Sequence, residues 1–231
     1  MMLYRTDITL ACWALLHLGT NPNWKRKVID EYKALVDQYT NTTSSDPLHI
    51  RLSTIPLIAW ENELPSMEAV IRETLRISGS TTFLRRNLEE DIQIGTTTVK
   101  TGDFVAYPAA DVHLNPDIYT NPMTFDPDRY GPGREEDRKE TNCYVAWGAG
   151  MYPTKTSSTD IWNYFFFKKN ICLGRHPCPG TRIAKLEIKM ILAMIFLGYE
   201  YEIVDGKGNY LKAVPDQNRN DIQQVSSTCA V

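Results

Sequence analysis

Gly174-Arg175-His176-Pro177-Cys178-Pro179-Gly180 is a run in which one cysteine lies between two prolines. A basic residue stands two places before Cys178, and a glycine stands two places after it. An apolar run with helical spacing begins directly afterwards, so we predict a long helix from Gly180 to Leu197. Pro179 suits the first turn of that helix, because this position needs no amide donor.

The chemistry of Cys178 depends on its protonation. A thiol must lose its proton to bind a metal, and a helix N-terminus stabilises the resulting anion. Gly180 would let the backbone approach a flat macrocycle closely. Together these features favour a thiolate that ligates haem iron. A cysteine considered alone is more often buried and inert, so a structural cysteine before an ordinary helix is the alternative.

The bulk composition narrows the class of protein. The chain has 231 residues, a net charge of −3 and 42% hydrophobic residues, which is enough for a globular core. The mild acidity gives no reason to expect a nucleic acid partner. Five cysteines without paired zinc spacing do not indicate a disulfide framework, so we expect a reducing compartment. The longest apolar runs, Ile8–Leu18 and Met190–Leu197, are too short to span a bilayer.

Periodicity predicts a mainly α chain with small antiparallel β-sheets. The predicted helices lie at Ile8–Leu18, Trp24–Tyr39, Pro65–Ile77 and Gly180–Leu197. The predicted strands lie at Asp91–Ile94, Thr97–Val99 and Phe104–Tyr107, with a terminal hairpin at Tyr199–Ala213. The charged patch Arg134–Glu140 is expected to be a solvated surface loop.

The cysteine run resembles the ligand loop of cytochrome P450 monooxygenases. That family's pattern combines an aromatic residue, a glycine, a basic residue, the cysteine, a second glycine and an alanine. Gly174, His176, Cys178, Gly180 and Ala184 fall in register with this pattern. The resemblance implies that Cys178 binds the haem iron, that His176 contacts a propionate, and that Gly180 and Ala184 belong to the cofactor site.

A second resemblance concerns a structural triad. Glu73-Thr74-Leu75-Arg76 places a carboxylate and a guanidinium three residues apart, so the two share a helix face. In the resembled family this Glu-x-x-Arg pair joins an arginine from a later segment, which corresponds here to Arg129 in Phe125–Tyr130. The implied role of Glu73, Arg76 and Arg129 is structural, because a buried guanidinium needs carboxylate and carbonyl partners.

Three further positions are assigned by the resemblance. Either Arg85 or Arg86 would reach a haem propionate, and the sequence does not distinguish them. His113 would contact a propionate or cap a turn. Thr6 would correspond to the threonine of the distal helix that delivers protons to bound oxygen. The alternative for Thr6 is a helix N-cap, which is a common use of threonine.

The family motif is interrupted. Tyr144-Val145-Ala146-Trp147-Gly148-Ala149-Gly150 resembles its first half, with Trp147 as the aromatic residue, whereas Ile171 stands at the aromatic position of the second half. We interpret the intervening residues 151–173 as a translated, unspliced intron, because Phe-, Lys- and Asn-rich runs are typical of AT-rich sequence. The alternative is a true insertion loop. In either case the ligand loop must be rebuilt, and residues 225–231 form a tail.

The resemblance implies that residues 1–231 form a partial domain equivalent to the C-terminal half of the P450 fold, most similar to fungal enzymes of secondary metabolism. The implied cofactor is haem b, and the implied reaction inserts one oxygen atom from dioxygen into a small lipophilic substrate. An NADPH-dependent reductase would supply electrons, and the intact relative would lie at the endoplasmic reticulum membrane through a missing N-terminal segment. The alternative is a non-catalytic truncated fragment that binds haem weakly or not at all. A cysteine hydrolase lacks an evident base and orienting residue.

Overall fold

The computed structural model describes residues 3–41, 45–79, 81–148, 178–211 and 213–214, with side chains from residue 8 onward. These ranges are mainly helical with two small antiparallel sheets, as predicted. The helices are α1 (Leu3–Thr20), α2 (Pro22–Tyr39), α3 (Leu48–Ser53), α4 (Leu57–Asn62), α5 (Pro65–Ser78), α6 (Ala109–His113) and α7 (Thr181–Gly198). The strands are β1 (Thr82–Arg86), β2 (Ile92–Ile94), β3 (Thr97–Val99) and β4 (Phe104–Pro108), and 3-10 helices span Pro127–Tyr130 and Glu136–Arg138.

One compact unit is helical. It comprises the described parts of Met1–Ser78, Phe125–Asp128 and Gly180–Val231. In it α1 packs against α5 and α7, and α2 packs against α7. The buried residues of α2 are Val28, Tyr32, Leu35 and Val36. Helices α3 and α4 were not predicted, because six residues are too few to display a helical period.

The starts of α5 and α7 can be compared with the sequence prediction. Helix α5 begins at Pro65, as expected, and Glu31 accepts hydrogen bonds from the backbone N–H groups of Ser66 and Met67 at 2.8 and 2.9 Å. Helix α7 begins one residue later than predicted, with Gly180 as its N-cap. Pro179 therefore precedes the helix and does not lie in its first turn.

The second compact unit contains both sheets and comprises the described parts of Gly79–Thr124 and Arg129–Pro179. Strands β1 and β4 pair antiparallel from Thr82–Pro108 to Arg86–Phe104, and β2 pairs antiparallel with β3. The predicted strands are confirmed. Gly102 has a φ of +95°, which glycine adopts without strain in the turn before β4.

In the described part of the predicted terminal hairpin, Val204 and Tyr210 form an antiparallel bridge. The Asp205 carboxylate holds the turn by accepting hydrogen bonds from the backbone N–H groups of Lys207 and Asn209 at 2.8 and 2.9 Å. Among the helices that the structure describes, none combines the length and the apolar character needed to cross a membrane.

Candidate functional site

Cys178 lies beside Trp147 in the structure, although residues 148–177 separate them in the sequence. The backbone N–H of Cys178 donates a hydrogen bond to the carbonyl oxygen of Trp147 at 2.8 Å. The two halves of the interrupted motif therefore meet through their backbones. The intervening residues 149–177, which include His176 and the segment 151–173, lie outside the described residues, as does the tail 225–231.

Trp147 occupies a tight turn that we call the Val145–Gly148 turn. The Gly148 N–H donates to the Val145 carbonyl oxygen at 2.9 Å, which closes the turn. Gly148 has a φ of +85°, a conformation that favours glycine. Val145 is fully buried and packs against Ala109, so the start of the turn is anchored in a small apolar core.

The side chains at this turn fit a thiolate-ligated haem. The indole Nε1 of Trp147 is buried and has no hydrogen-bond acceptor among the described residues. A buried donor is costly without an acceptor, so this one indicates an acceptor group outside those residues. Cys178 is exposed. The described residues hold no cluster of three or more metal-ligating side chains, whereas a thiolate-ligated haem needs one protein sulfur.

His113 supports the same turn from α6. Its ring is fully buried, and its Nε2 accepts a hydrogen bond from the Val145 N–H at 3.0 Å. The ring stacks on Tyr144 with centroids 5.4 Å apart. The structure thus places His113 against the backbone of the segment that carries Trp147.

Arg85 and Arg86 point to opposite faces of β1, because successive strand residues alternate. Arg85 shares its face with Phe83, which packs against the apolar core around Val145. Arg86 lies on the other face, where its Nε donates to the Gly102 carbonyl at 3.1 Å and its guanidinium lies over the Phe104 ring. Arg85 is half-buried and donates to the neighbouring Leu84 carbonyl at 2.8 Å.

The predicted pairing of Glu73 and Arg76 is present in the structure. Both side chains are fully buried, and Arg76 donates through two nitrogens to the two carboxylate oxygens of Glu73 at 2.9 and 2.8 Å. Glu73 also accepts a hydrogen bond from the Asp126 N–H at 3.0 Å. The Glu-x-x-Arg pair therefore contacts the predicted later segment through its backbone.

Arg129 has a carboxylate partner that the sequence prediction missed. Its guanidinium is fully buried and donates to Glu136 at 2.6 Å and to the carbonyls of Thr120 and Thr124 at 3.2 and 3.1 Å. The expectation of a uniformly solvated loop at Arg134–Glu140 is wrong at Glu136, which is buried. A buried arginine requires a carboxylate, and that requirement was the available signal.

Glu136 stays ionised because its hydrogen bonds outweigh its burial. Burial opposes the charge, but donors from Arg134, the Thr120 N–H and Arg129 together lower the pKa of Glu136 to about 2. Its carboxylate accepts from Arg134 at 2.8 Å and from the Thr120 N–H at 3.0 Å. This network fixes the meander between α6 and the Val145–Gly148 turn.

The remaining predicted positions are placed as follows. Ala184 is buried on α7, and its N–H donates to the Gly180 carbonyl at 2.9 Å. Thr6 lies inside α1, so the N-cap interpretation is wrong, because the helix already includes Leu3. The side chain of Thr6 lies outside the described part of the structure.

Most of this chain is similar to proteins of a known family. The sequence profile of the cytochrome P450 family matches residues 4–151. Cytochrome P450 monooxygenase AacuE of Aspergillus aculeatus is 32% identical over 83% of this chain and 34% of that protein. Cytochrome P450 monooxygenase nsrP of Aspergillus novofumigatus is 33% identical over 80% of this chain and 32% of that protein.

Two further relatives extend the comparison. Cholesterol 7-alpha-monooxygenase of Cricetulus griseus is 27% identical over 90% of this chain and 37% of that protein. The solved structure of retinoic acid bound cyanobacterial CYP120A1 superposes with a TM-score of 0.58 and 21% identity over 86% of this chain and 37% of that one. The chain spans about one third of the length of the curated relatives it matches.

Proposed function

Because this chain belongs to the cytochrome P450 family, we propose that Cys178 ligates the iron of haem b and that the intact protein is a haem-thiolate monooxygenase. One observation carries the assignment of the ligand. The Cys178 N–H bonds to the Trp147 carbonyl at 2.8 Å, so the cysteine lies beside the aromatic residue of its own interrupted motif.

When bound, the haem supplies the activation of dioxygen, and a thiolate ligand pushes electron density toward cleavage of the O–O bond. The residues of this chain hold and orient that group. Cys178 would provide the anionic sulfur, and the indole Nε1 of Trp147 is a buried hydrogen-bond donor on the neighbouring residue of the motif. Such contacts around a ligating sulfur tune the metal that it binds.

Arg85 is our candidate for the propionate contact, in preference to Arg86. Arg85 lies on the face of β1 that packs toward Val145, whereas Arg86 is engaged on the opposite face by Gly102 and Phe104. An arginine fork binds a carboxylate through two charge-assisted hydrogen bonds, which would fix the orientation of the macrocycle. His176 is proposed for the second propionate, and Gly180 and Ala184 for the site's border.

The whole protein would insert one oxygen atom into a lipophilic organic substrate and reduce the other to water. An NADPH-dependent reductase would deliver the electrons at the endoplasmic reticulum membrane. We propose Thr6 as the residue that transfers protons on the distal side. Glu73, Arg76 and Arg129 would keep the scaffold rigid.

The carbon monoxide difference spectrum of the reduced, haem-reconstituted chain tests the ligand. We expect the red-shifted Soret band of thiolate ligation in the unmodified chain and in Cys12→Ser, which removes the other exposed cysteine among the described residues. Cys178→Ser should lose that band while retaining the far-ultraviolet circular dichroism of the fold.

A red-shifted band that persists in Cys178→Ser would contradict the assignment of the ligand. Failure of the unmodified chain to bind haem would instead favour the second candidate, a non-catalytic fragment.

A further inference from the structure

We infer that His113 is a positioning residue for the cysteine ligand. Its Nε2 fixes the Val145–Gly148 turn, and that turn holds the backbone of Cys178. The inference rests on the proposed role of Cys178 as the ligand. It assigns the Nε2 of His113 to the protein backbone.

The hydrogen bonds form a continuous path. Nε2 of His113 accepts from the Val145 N–H at 3.0 Å, and the Val145 carbonyl accepts from the Gly148 N–H at 2.9 Å. Trp147 lies inside the turn, and its carbonyl accepts from the Cys178 N–H at 2.8 Å. Each step is a direct hydrogen bond or one residue of the same turn, so the imidazole sets the position of the carbonyl that Cys178 contacts.

The bond also fixes the tautomer of His113. A neutral imidazole carries one donor and one acceptor nitrogen. Because Nε2 accepts from an N–H, the proton must reside on Nδ1. A ring in this state donates only through its Nδ1–H, and Nδ1 is buried. The stacking on Tyr144, at 5.4 Å between centroids, further restricts rotation of the ring.

Because the hydrogen bond between His113 and Val145 is buried, its loss is costly. His113 and Val145 are both fully buried, so water cannot replace the ring as the acceptor for the Val145 N–H. Tyr119 adds a second attachment, since its hydroxyl donates to the Cys143 carbonyl at 2.7 Å. That bond holds the chain just before the turn, whereas His113 holds the turn itself.

Amide hydrogen exchange of the 231-residue chain without haem tests the inference directly. His113→Phe keeps a flat ring beside Tyr144 but removes the acceptor. We expect exchange of the Val145 amide to become faster by roughly tenfold, as for loss of an ordinary hydrogen bond, with a smaller acceleration at Cys178. His113→Gln, whose side-chain oxygen can accept, should restore part of the protection at Val145.

His17→Phe is the matched control. His17 is also a buried histidine stacked on an aromatic ring, at 4.4 Å between its centroid and that of Phe125, but it lies in the other compact unit. We expect this substitution to leave exchange at Val145 unchanged. Unchanged exchange at Val145 in His113→Phe would overturn the inference.

Nitrogen NMR of the unmodified chain provides a measurement that needs no variant. Protonation of Nδ1 with an unprotonated Nε2 in His113 is the expected result, and a proton on Nε2 would overturn the inference. Both measurements are made without haem, so they stand even if the chain fails to bind haem. In the reconstituted chain, His113→Phe should also reduce the thiolate-type fraction of the carbon monoxide complex, and His113→Gln should recover part of it.

Discussion

Two buried arginine–carboxylate pairs occur in different parts of the molecule and are built differently. Glu73 and Arg76 lie one helical turn apart on α5, and neither side chain is exposed to any degree. Arg129 and Glu136 lie in the irregular meander, where Arg134, 37% exposed, donates to the same carboxylate. The Glu73–Arg76 pair is sealed from solvent, whereas the Arg129–Glu136 pair is connected to solvent through Arg134.

This difference predicts unequal costs for breaking the two pairs. A buried charge that loses its partner is expensive when water and other charges cannot reach it. The backbone of α5 fixes the separation of Glu73 and Arg76, so neither can move toward solvent. In the meander, a half-exposed third charge can adjust and partly compensate.

Glu73→Gln should have the largest effect on stability. The amide oxygen can still accept from the Asp126 N–H, but the charge that faces Arg76 is lost. We expect the free energy of unfolding to fall by about 3–5 kcal/mol, the range for a broken buried ion pair. Urea denaturation followed by circular dichroism measures this change.

The double variant Glu73→Gln/Arg76→Met is the control for that prediction. It leaves no buried charge at this position, so it should be more stable than Glu73→Gln alone. A double variant that is equally unstable or less stable would indicate that the guanidinium matters through contacts other than its ion pair with Glu73.

Glu136→Gln should have a smaller effect, and the effect should depend on pH. We expect a loss of about 2 kcal/mol at neutral pH, which is discounted because the partner Arg134 is half-exposed. The pKa of Glu136 is lowered from 4.5 to about 2. The carboxylate therefore adds stability above pH 4.5, and this contribution disappears as the pH falls toward 2.

Denaturation of the unmodified chain and of Glu136→Gln between neutral pH and about pH 3 checks this prediction. The two free energies should converge on acidification. Burial, aided by Arg76, lowers the pKa of His17 from 6.5 to about 4, so both proteins also lose stability as the pH falls through that range. Because both proteins share this loss, it cancels in the difference between their free energies of unfolding. A difference that stays constant with pH would contradict the role of Glu136.

The contrast between the helical pair and the meander pair also explains which contacts the sequence could predict. Helix α5 follows from a period that buries Val70 and Ile71, and the spacing of Glu73 and Arg76 is a local property of one helix. The family motifs located Cys178 and Trp147. In each case the information lies within a few consecutive residues.

Contacts in the meander depend on loop closure, which local patterns do not encode. Nothing in the charged run around Glu136 distinguishes its buried carboxylate from its exposed neighbours. The approach of Cys178 to Trp147 was likewise hidden, because the intervening segment separates the two halves of the motif. The sequence motif identified His113, but only the folded structure shows its contact with the Val145 N–H.

A third ion pair is exposed to solvent on both sides. Lys27 and Asp128 lie 3.6 Å apart, with side chains 54% and 64% exposed. Water screens both charges, and holding two mobile side chains together costs entropy, so we expect a coupling energy of about 0–0.5 kcal/mol. A double-mutant cycle with Lys27→Ala and Asp128→Ala measures it. A coupling above about 1 kcal/mol, or one that is unaffected by salt, would mean that burial does not govern the strength of ion pairs in this molecule.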